Sequence, residues 1–436
     1  MRATLNTTFR SLAVRNYRLF ATGQLVKLIG VWMMFTAQDW LVLDLSGNSG
    51  SALGIVTALQ FLPVLLLTLY AGKLADRYDK RHILIGANAA YAVLAVVFAI
   101  LVASGAVELW HVFVFAGLLG TANAIETPVR QSFVSELVGM TLLPNALSLS
   151  AATFNIARVS GPALAGLAIA TLGIGPVFLI STVLAISPVF SYLRMNAGAL
   201  VRTGLTTGKN AKGSVLDGLR YVWTRGDLLL VIVVMAVVAM IGFNFPVTLA
   251  VLAKVSFGAG AASFGLLTTA LALGALGGAL AGSARTARPS IYSVLLPGVA
   301  FAALEVLVGF APTFWAAALL LVPTGFFMIF FAQAANQRVQ LGTDAAYRGR
   351  VMALYVLVFL GTTPIGAPLA GWWSELFGPA VSIALGGAVS LVAALAALAW
   401  QLRRSGERLR LTWRPIPRLS VVAPRVTAAE PNVTVA

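Results

Sequence analysis

Long apolar runs alternate along the whole chain with short polar turns. The runs at 52–71 and 83–103 flank a turn at 72–81 that carries six charged residues. A helix of about 20 apolar residues is long enough to cross the ~30 Å hydrocarbon core of a bilayer. The charged turn therefore lies at one face of a membrane, between two helices that cross it.

Extending this pattern along the chain predicts twelve membrane spans in two groups of six. They lie at 19–43, 52–71, 83–103, 109–125, 147–172, 176–193, 228–252, 262–281, 291–310, 313–335, 351–373 and 380–402. Residues 126–138 are predicted to form an interfacial segment after the fourth span. Residues 1–18 form an amphipathic lead-in, 194–227 a cytoplasmic linker with a surface helix at 215–222, and 403–436 a basic disordered cytoplasmic tail.

Landmarks in the first half recur in the second at nearly one offset. The Gly-x-Leu-Ala opening at Gly72 returns 206 positions later at Gly278, and Arg130 recurs as Arg338 after 208 positions. Residues 163–166 are matched by 368–371, an offset of 205. Repeated order at one spacing indicates a duplicated unit. The predicted fold is an all-α membrane protein of twelve transmembrane helices in two pseudo-symmetric six-helix bundles, 19–193 and 228–402.

Composition excludes a soluble protein, because 59% of residues are hydrophobic and only 10% are charged. The chain has no cysteine and two histidines, so we expect no disulfide, metal site or cofactor. Its net charge is +16, but all 30 lysines and arginines except Lys27, Arg158 and Lys254 fall on one side of the predicted membrane. Basic loops remain cytoplasmic. This predicts that both termini are cytoplasmic and that the charge does not serve nucleic-acid binding.

The charged turn carries the motif Gly72-x-Leu-Ala-Asp-Arg-x-x-Lys-Arg81, placed between the second and third spans. Together with the duplicated halves, this motif resembles the major facilitator superfamily over about residues 10–402. Residues 15–20, 38–44, 75–81 and 155–162 further resemble the bacterial branch that includes enterobactin exporters and macrolide or multidrug exporters. The chain departs from the family where Asp79 replaces a glycine of the turn, and where Ala157 and Ala165 replace glycines of the antiporter signature.

The resemblance implies a cytoplasmic latch that closes this side in the outward-open state. Asp76 would meet Arg350 at the start of the eleventh span, and Lys80 or Arg81 would meet Glu126 at the end of the fourth. Glycine at the turn would let neighbouring backbones approach closely. The predicted latch set is Gly72, Asp76, Arg77, Lys80, Arg81, Glu126 and Arg350. The alternative is that the basic residues only determine topology and bind anionic lipid.

A polar stripe on the first span predicts one wall of a substrate cavity. Its members follow helical spacing and are Gln24, Lys27, Val31, Met34 and Gln38. A charge at bilayer depth is costly and is normally paired or functional. Lys27 and Glu126 lie at similar depth, which suggests that they pair. That pair competes with an i,i+4 contact between Glu126 and Arg130 and with the latch.

Three acids are candidates for proton coupling: Asp39, Glu126 and Glu305. Asp39 lies in the outer part of the first span and could exchange a proton if desolvation favours its neutral form; the alternative is a capping role at the rim. The resemblance implies that the ninth span, which carries Glu305, is peripheral. Near the midplane, Arg158 and Asn155 one turn before it either bind an anionic group of the cargo or hold spans together.

Aromatic and amide residues in the second half extend the predicted cavity. Stacking and adaptable packing on such side chains accommodate bulky amphipathic molecules. The candidates are Asn244, Phe245, Phe327, Phe331 and Gln333. For the aromatic members, the alternative is packing against lipid or neighbouring helices.

The sequence contains no phosphate-binding loop, because the glycine-rich segment at 204–209 is one residue short, and it contains no hydrolase motif. We therefore predict a non-enzymatic, monomeric plasma-membrane transporter in contact with lipids and protons. It would export a hydrophobic or amphipathic small molecule, drug-like or siderophore-like, by proton antiport with a rocker-switch cycle. Facilitated or proton-coupled uptake is the first alternative. A non-transporting receptor or scaffold is the second.

Overall fold

A computed structural model describes residues 9–201, 215–283, 285, 287–344, 347–412 and 418–422. Side chains are described for these residues apart from Leu69, Asp76, Val215, Leu216 and every position from 408 onward. Residues 1–8 of the predicted lead-in, 202–214 of the predicted linker, and 413–417 and 423–436 of the predicted tail lie outside the described residues.

The first half of the chain is helical throughout its described length. A 3₁₀ turn at Arg10–Ala13 precedes the first long helix. The helices are α1 Arg15–Leu45, α2 Gly50–Arg77, α3 Lys80–Ala103, α4 Leu109–Leu172, α5 Ile174–Ala185 and α6 Ser187–Leu193. A short 3₁₀ turn at Ala197–Ala199 follows. α5 and α6 together form one crossing of the membrane, which corresponds to the sixth predicted span.

α4 corrects the predicted boundary between the fourth and fifth spans. Its 64 residues are interrupted at Gly139, where φ of 67° and ψ of 176° leave the helical region and suit a glycine. We call residues 109–138 the first limb and 140–172 the second limb. The first limb continues past 125 because Val129, Phe133 and Leu137 are buried at helical spacing. Residues 126–138 are therefore part of the fourth span and not a separate interfacial segment.

The second half begins with the linker helix and contains two interrupted spans. Its helices are α7 Val215–Thr224, α8 Gly226–Ile241, α9 Phe245–Val251, α10 Ala261–Ser283, α11 Tyr292–Gly309, α12 Phe314–Gly342, α13 Arg348–Gly361, α14 Thr363–Phe377 and α15 Pro379–Ser405. A π-helical turn at Leu252–Ser256 extends α9. Prolines at the starts of α9 and α14 remove backbone donors and interrupt the seventh and eleventh spans.

Eleven helical stretches among the described residues are long and apolar enough to cross a membrane. α4 crosses twice, once with each limb, which gives twelve crossings. Large apolar side chains such as Leu66, Val183, Leu319 and Val392 are exposed on the outside of the bundle, as contact with lipid requires. The predicted all-α fold with two six-helix halves is confirmed.

Helix α7 docks on the second half. Tyr221 of α7 stacks on Tyr347 with ring centroids 4.5 Å apart and planes inclined by 13°. The Tyr221 hydroxyl accepts a hydrogen bond from the Asp344 amide at 3.3 Å and one from Arg225 at 3.1 Å. Val222 on the same helix is fully buried. The end of the bundle that carries α7 is called the linker side below, and the other end the opposite side.

On the opposite side, backbone of the two halves meets along two seams. A Cβ placed at Gly371 of α14 would lie 2.1 Å from the carbonyl oxygen of Gly50 in α2. A Cβ placed at Gly265 of α10 would lie 2.5 Å from the carbonyl oxygen of Pro162 in the second limb of α4. Only residues without a side chain permit such approach. The two halves are therefore closely apposed on this side.

Polar contacts join the halves at the same end. Lys254, in the π-helical turn, donates a hydrogen bond to the Asp44 carboxylate at the end of α1. The Glu375 carboxylate accepts hydrogen bonds from the Ser51 hydroxyl at 2.6 Å and the Ser51 amide at 3.1 Å, and also from the Ser49 hydroxyl. The opposite side is thus closed by backbone apposition and by two polar contacts.

The tail differs from its expected disorder over its described part. α15 extends to Ser405, and β1 Arg408–Thr412 pairs antiparallel with β2 Arg418–Val422. The register places Arg408 opposite Val422. Arginine and leucine alternate along β1, a period of two that is typical of a strand.

Candidate functional site

A cavity of about 600 Å³ lies within the first half, between α1, α2 and both limbs of α4. Its wall is mostly apolar and aromatic, with Trp32, Phe35, Phe61 and Phe154 among its members. Leu360 of α13 is the second-half residue in the described wall. The polar members are Lys27, Gln38, Gln60, Asn123, Glu126, Thr127, Arg130, Gln131, Ser150 and Asn155.

One side of the cavity carries a buried ion cluster. Lys27 Nζ lies 3.2 Å from Glu126 Oε1, and the two side chains are 3% and 4% exposed. Arg130, one turn further along α4, lies 3.1 Å from the same oxygen through its Nε. The structure thus forms both contacts that the sequence analysis treated as competitors. Two cations share one carboxylate, so the cluster keeps one positive charge in excess.

The ring of Tyr91 in α3 completes the surroundings of Lys27, with its centroid 5.7 Å from Nζ. An ammonium near a tyrosine face gains cation–π attraction. Tyr91 is itself buried, so this side of Lys27 is covered by protein. The buried charge of Lys27 is therefore compensated by pairing, as predicted for Lys27 and Glu126.

Two amides in the cavity wall have unused hydrogen-bonding groups. Gln38 has both side-chain polar atoms buried without a hydrogen-bond partner among the described residues, and the same is true of Nε2 of Gln60. Leaving a buried polar group unpaired costs about 1–3 kcal/mol. A guest molecule with hydrogen-bonding groups, or water, would satisfy them. The cavity can therefore recognise a guest by polar contacts as well as by apolar packing.

The predicted first-half site residues separate into two groups. Lys27, Gln38 and Asn155 line the cavity, and the Asn155 amide also donates to the Ala151 carbonyl at 2.8 Å. Outside the described wall lie Gln24 and Met34. Gln24 donates to the Tyr192 hydroxyl at 3.0 Å, and the Met34 sulfur accepts from the Tyr91 hydroxyl at 3.7 Å.

Arg158 also lies outside the described wall, half-buried on the second limb of α4. Its neighbour Val159 accepts a hydrogen bond from Thr269 of α10 at 3.3 Å. This position is beside the seam between α4 and α10. Both roles predicted for Arg158 stay predictions.

The second-half residues predicted for the cavity pack elsewhere. Asn244 donates to the carbonyls of Met240 and Ile241 at 2.7 and 3.1 Å, because the break before α9 leaves those carbonyls without helical partners. Phe245 packs against Phe301 of α11, with ring centroids 6.2 Å apart.

The three residues predicted on α12 contact other helices of the second half. Phe327 meets its neighbour Phe326 edge to face, and Phe331 is fully buried against Gly298 of α11. Gln333 packs so closely on Gly282 of α10 that a Cβ there would lie 1.9 Å from Oε1. The five second-half candidates lie outside the described cavity wall, and their role in a substrate cavity stays a prediction.

The predicted latch contact with Glu126 is also corrected. Lys80 pairs at 2.5 Å with Glu136, which lies ten residues beyond Glu126 on the first limb of α4. Arg81 donates to the carbonyls of Tyr192 and Leu193 at 2.8 and 3.2 Å. Ten helical residues correspond to about 15 Å. Since the fourth span continues past 125, the acid at its linker-side end is Glu136.

Other latch members are placed differently. A Cβ at Gly72 would meet nothing within 4 Å, so the predicted close backbone approach is absent at this described position. Arg77 is exposed, with its guanidinium 5.8 Å from the ring of Tyr78. Arg350 lies 3.9 Å from Asp217 of α7. The Asp76 side chain lies outside the described residues, so its contact with Arg350 stays a prediction.

The remaining acids are both buried. Asp39 is 7% exposed in α1 and is not part of the described cavity wall. Glu305 is 3% exposed and faces α8 and α15, so α11 packs this acid inside the second half. The family resemblance implied a peripheral ninth span, but Glu305 on that span is buried.

Sequence reasoning missed several cavity residues on α2 and α4. On the first limb of α4, Gly120, Asn123, Thr127 and Gln131 follow spacings of three, four and four residues. That spacing places them on one helical face. This stripe is a signal of the same kind as the polar stripe on α1.

A family model and several sequence relatives match the chain. The model of the family described as "Transmembrane secretion effector" matches residues 6–424. A multidrug efflux pump Tap of Mycolicibacterium fortuitum is 28% identical over 78% of this chain and 85% of its own length. A staphyloferrin A transporter of Staphylococcus aureus is 31% identical over 35% of this chain, and the chain spans only 38% of that relative.

Solved structures of membrane transporters share the fold at low identity. A bacterial homologue of the human lysosomal transporter Spinster, inward-facing and unoccupied, is 14% identical with a TM-score of 0.67 over 88% of this chain and 94% of its own. The nucleoside transporter NupG is 11% identical with a TM-score of 0.69 over 88% of this chain and 98% of its own. These likenesses concern the fold.

Proposed function

The chain belongs to the transmembrane secretion effector family of major facilitator transporters, and from this membership we propose that it is a proton-driven exporter of hydrophobic or amphipathic small molecules. As a multi-pass membrane transporter, it moves a small-molecule substrate. The direction of transport, its coupling to protons and the class of cargo are proposals. The relatives named as a multidrug efflux pump and a staphyloferrin A transporter support a drug-like or siderophore-like cargo.

The observation that carries the proposal is the ion cluster of Lys27, Glu126 and Arg130 in the wall of an otherwise apolar cavity. A buried ion pair is weak evidence for stability, because desolvation offsets much of its Coulomb energy. Charges at membrane depth are normally kept for function. Glu126 is the acidic member of the described cavity wall, so it is the group at which a proton and a guest molecule would compete.

Competition for Glu126 would produce antiport. With Glu126 ionised, the wall offers a carboxylate to donor groups of the cargo. Protonation from the opposite side would remove that charge and weaken cargo binding there. Because linkage is reciprocal, bound cargo would weaken proton binding by the same factor. Exchange of one for the other at a single carboxylate would drive cargo outward along the inward proton gradient.

The rest of the wall defines the cargo class. Trp32 and Phe154 contact each other edge to face at 5.9 Å and present aromatic surface to the cavity. Aromatic faces bind flat apolar groups of many shapes. The unpaired amide groups of Gln38 and Gln60 supply donors and acceptors. A guest with an apolar ring system and a few polar groups fits this wall better than a small hydrophilic solute.

We place the protein in the plasma membrane as a monomer with annular lipids, and we place the linker side in the cytoplasm. The distribution of lysine and arginine supports this orientation. The cavity and both seams are formed within one chain. Rocking of the two halves would open the seams and expose the cavity to the outside.

Inverted membrane vesicles containing the full chain would test the proposal. An acid-inside pH gradient should drive accumulation of a fluorescent amphipathic dye, and an alkaline-inside gradient should not. Glu126→Gln should abolish gradient-driven accumulation while leaving dye counterflow without a gradient. Glu108→Gln, which removes an exposed acid directly before the same helix, is the matched control and should retain coupling.

Three results would contradict the proposal or a part of it. Equal dye fluxes in both directions, unchanged by the pH gradient, would favour facilitated diffusion. Accumulation under the reversed gradient would favour proton-coupled uptake. Unaltered proton coupling in Glu126→Gln would remove the assigned role of this carboxylate even if export were found.

A further inference from the structure

A second enclosed acid site lies in the other half of the chain, around Glu305 of α11. A Cβ placed at Gly242 would lie 2.9 Å from Glu305 Oε2 and 2.8 Å from Ser390 Oγ. A Cβ placed at Gly386 would lie 3.2 Å from Glu305 Oε1 and 3.2 Å from the Ile241 carbonyl oxygen. A carboxyl, a hydroxyl and a carbonyl group from three elements therefore converge on the space that two glycines leave open.

Two polar groups of this site have unused hydrogen-bonding capacity. Glu305 Oε2 and Ser390 Oγ are both buried without a hydrogen-bond partner among the described residues. An ionised carboxylate only accepts hydrogen bonds, whereas a protonated one can also donate. A proton on Glu305 would give the site a donor beside two acceptors, the Ser390 hydroxyl and the Ile241 carbonyl.

The charged groups on the elements packed against Glu305 are remote. In the described residues of α8, α12 and α15 they are Asp227, Arg338, Arg403 and Arg404. Lys254 follows α9. Each lies at least ~18 Å along its helix from the level of Glu305, at 1.5 Å per residue. An ionised Glu305 would have no nearby cation to compensate it, which is costly in a buried site.

Aromatic side chains enclose the same place. Phe301 lies one turn before Glu305, and its ring contacts Phe243 and Phe245 with centroids 5.3 and 6.2 Å away. These two phenylalanines flank Asn244 at the break between α8 and α9. The acid is therefore next to a helix interruption, which is where membrane transporters tolerate irregular backbone because it lines a binding site.

We propose that Glu305 is a proton-binding site separate from the cluster at Glu126, and that its proton holds the outer part of the seventh span against α11 and α15. That outer part, α9 and its π-helical turn, carries Lys254, which contacts Asp44 of the other half. Loss of the proton would leave a charge against Gly242, draw water into the break and loosen α9. Protonation of Glu305 therefore stabilises closure of the opposite side. The site itself does not depend on which cargo is moved.

Infrared titration of the purified full-length protein in lipid nanodiscs tests proton binding directly. The carbonyl band of protonated carboxyl groups should lose one titrating component in Glu305→Gln. Glu108→Gln, which alters an exposed acid of the opposite side, should keep that component. Spectra of Glu305→Gln that titrate like the wild type would overturn the proposal. This measurement needs no cargo, so it stands even if dye export is not observed.

Spin labels test the mechanical consequence. Because the chain lacks cysteine, labels can be attached to Ser104→Cys and Ser256→Cys, two exposed positions on the opposite side. Raising the pH should add a longer distance in the wild-type background. Glu305→Gln should keep the short distance at every pH, while Glu305→Asp should still respond. A Glu305→Gln protein that lengthens with pH as the wild type does would overturn the link to closure.

Discussion

Lys254 of the second half donates a hydrogen bond to Asp44 of the first half, and its ammonium lies 5.0 Å from the ring of Trp40. The Asp44 side chain is 48% exposed, so solvent screens this pair. Exposed pairs contribute about 0.2–1 kcal/mol. Asp44→Asn should therefore raise the population that is open on the opposite side by up to about fivefold, as measured by distances between labels at Ser104→Cys and Ser256→Cys.

Reversal of the pair is the control for this prediction. A protein carrying Asp44→Lys with Lys254→Asp should return most of the way to the wild-type distance distribution. If Asp44→Asn and the reversed pair give the same distribution as the wild type, the contact does not contribute to closure.

The stability of the ion cluster should depend on which member is removed. Lys27→Met leaves Glu126 paired with Arg130, whereas Glu126→Ala leaves the buried Lys27 and the partly exposed Arg130 without an acid. Removing one partner of a buried pair costs about 3–5 kcal/mol when the other stays uncompensated. Thermal unfolding in detergent should show a much larger loss of Tm for Glu126→Ala than for Lys27→Met.

The double variant Lys27→Met/Glu126→Gln provides the matched comparison for the cluster. It leaves only Arg130, whose side chain is 18% exposed and can reach water. Its Tm should lie above that of Glu126→Ala. Equal Tm values for all three proteins would mean that the cluster does not behave as an electrostatic unit.

Substitution at a seam glycine should force the halves apart on the opposite side. A Cβ at Gly371 would lie 2.1 Å from a backbone oxygen of Gly50, which cannot rotate away. Overpacking of this kind costs about 1–3 kcal/mol, which corresponds to roughly 5- to 150-fold in the closed population. The same spin-label distances should lengthen in Gly371→Ala.

Gly117→Ala is the control for the seam, because a Cβ at Gly117 would meet nothing within 4 Å. It should leave the distance distribution unchanged. A Gly371→Ala protein that remains closed would show that the backbone apposition does not set the conformation.

Docking of the linker helix should depend on ring stacking more than on the hydroxyl of Tyr221. Tyr221→Ala removes the stack on Tyr347 together with both hydrogen bonds to the hydroxyl. Tyr221→Phe removes only the hydrogen bonds. Aromatic pairs contribute about 0.5–1.5 kcal/mol beyond their buried area, so limited proteolysis should cleave the linker faster in Tyr221→Ala and near the wild-type rate in Tyr221→Phe. Equal cleavage of the two variants would contradict this order.

The fold could be predicted because each span repeats one strong signal, an apolar run of bilayer length between polar turns. The boundary after the fourth span failed because Glu126 and Arg130 interrupt that signal. Their charges are paired with each other and with Lys27 inside the bundle, so the helix continues through them. Hydropathy alone cannot distinguish a buried ion cluster from an interfacial segment.

Depth along a helix predicted the partner of Lys27, but it could not predict the partners of amides and aromatics. Asn244 donates a hydrogen bond to a backbone carbonyl at the break before α9, and Phe331 packs against Gly298. Both uses depend on how neighbouring helices are rotated, which one sequence does not specify. Lys80 paired with a different acid for the same reason that the span boundary moved, since the end of the fourth span determines which carboxylate it meets.

The glycine seams between α2 and α14 and between α4 and α10 imply a division of labour within the molecule. The backbones of neighbouring helices are in direct contact at these seams. The helices therefore fit together in one register and cannot slide along each other. The two halves can separate only by a hinge rotation. Residues that face the guest can then be exchanged for others without disturbing how the molecule shuts.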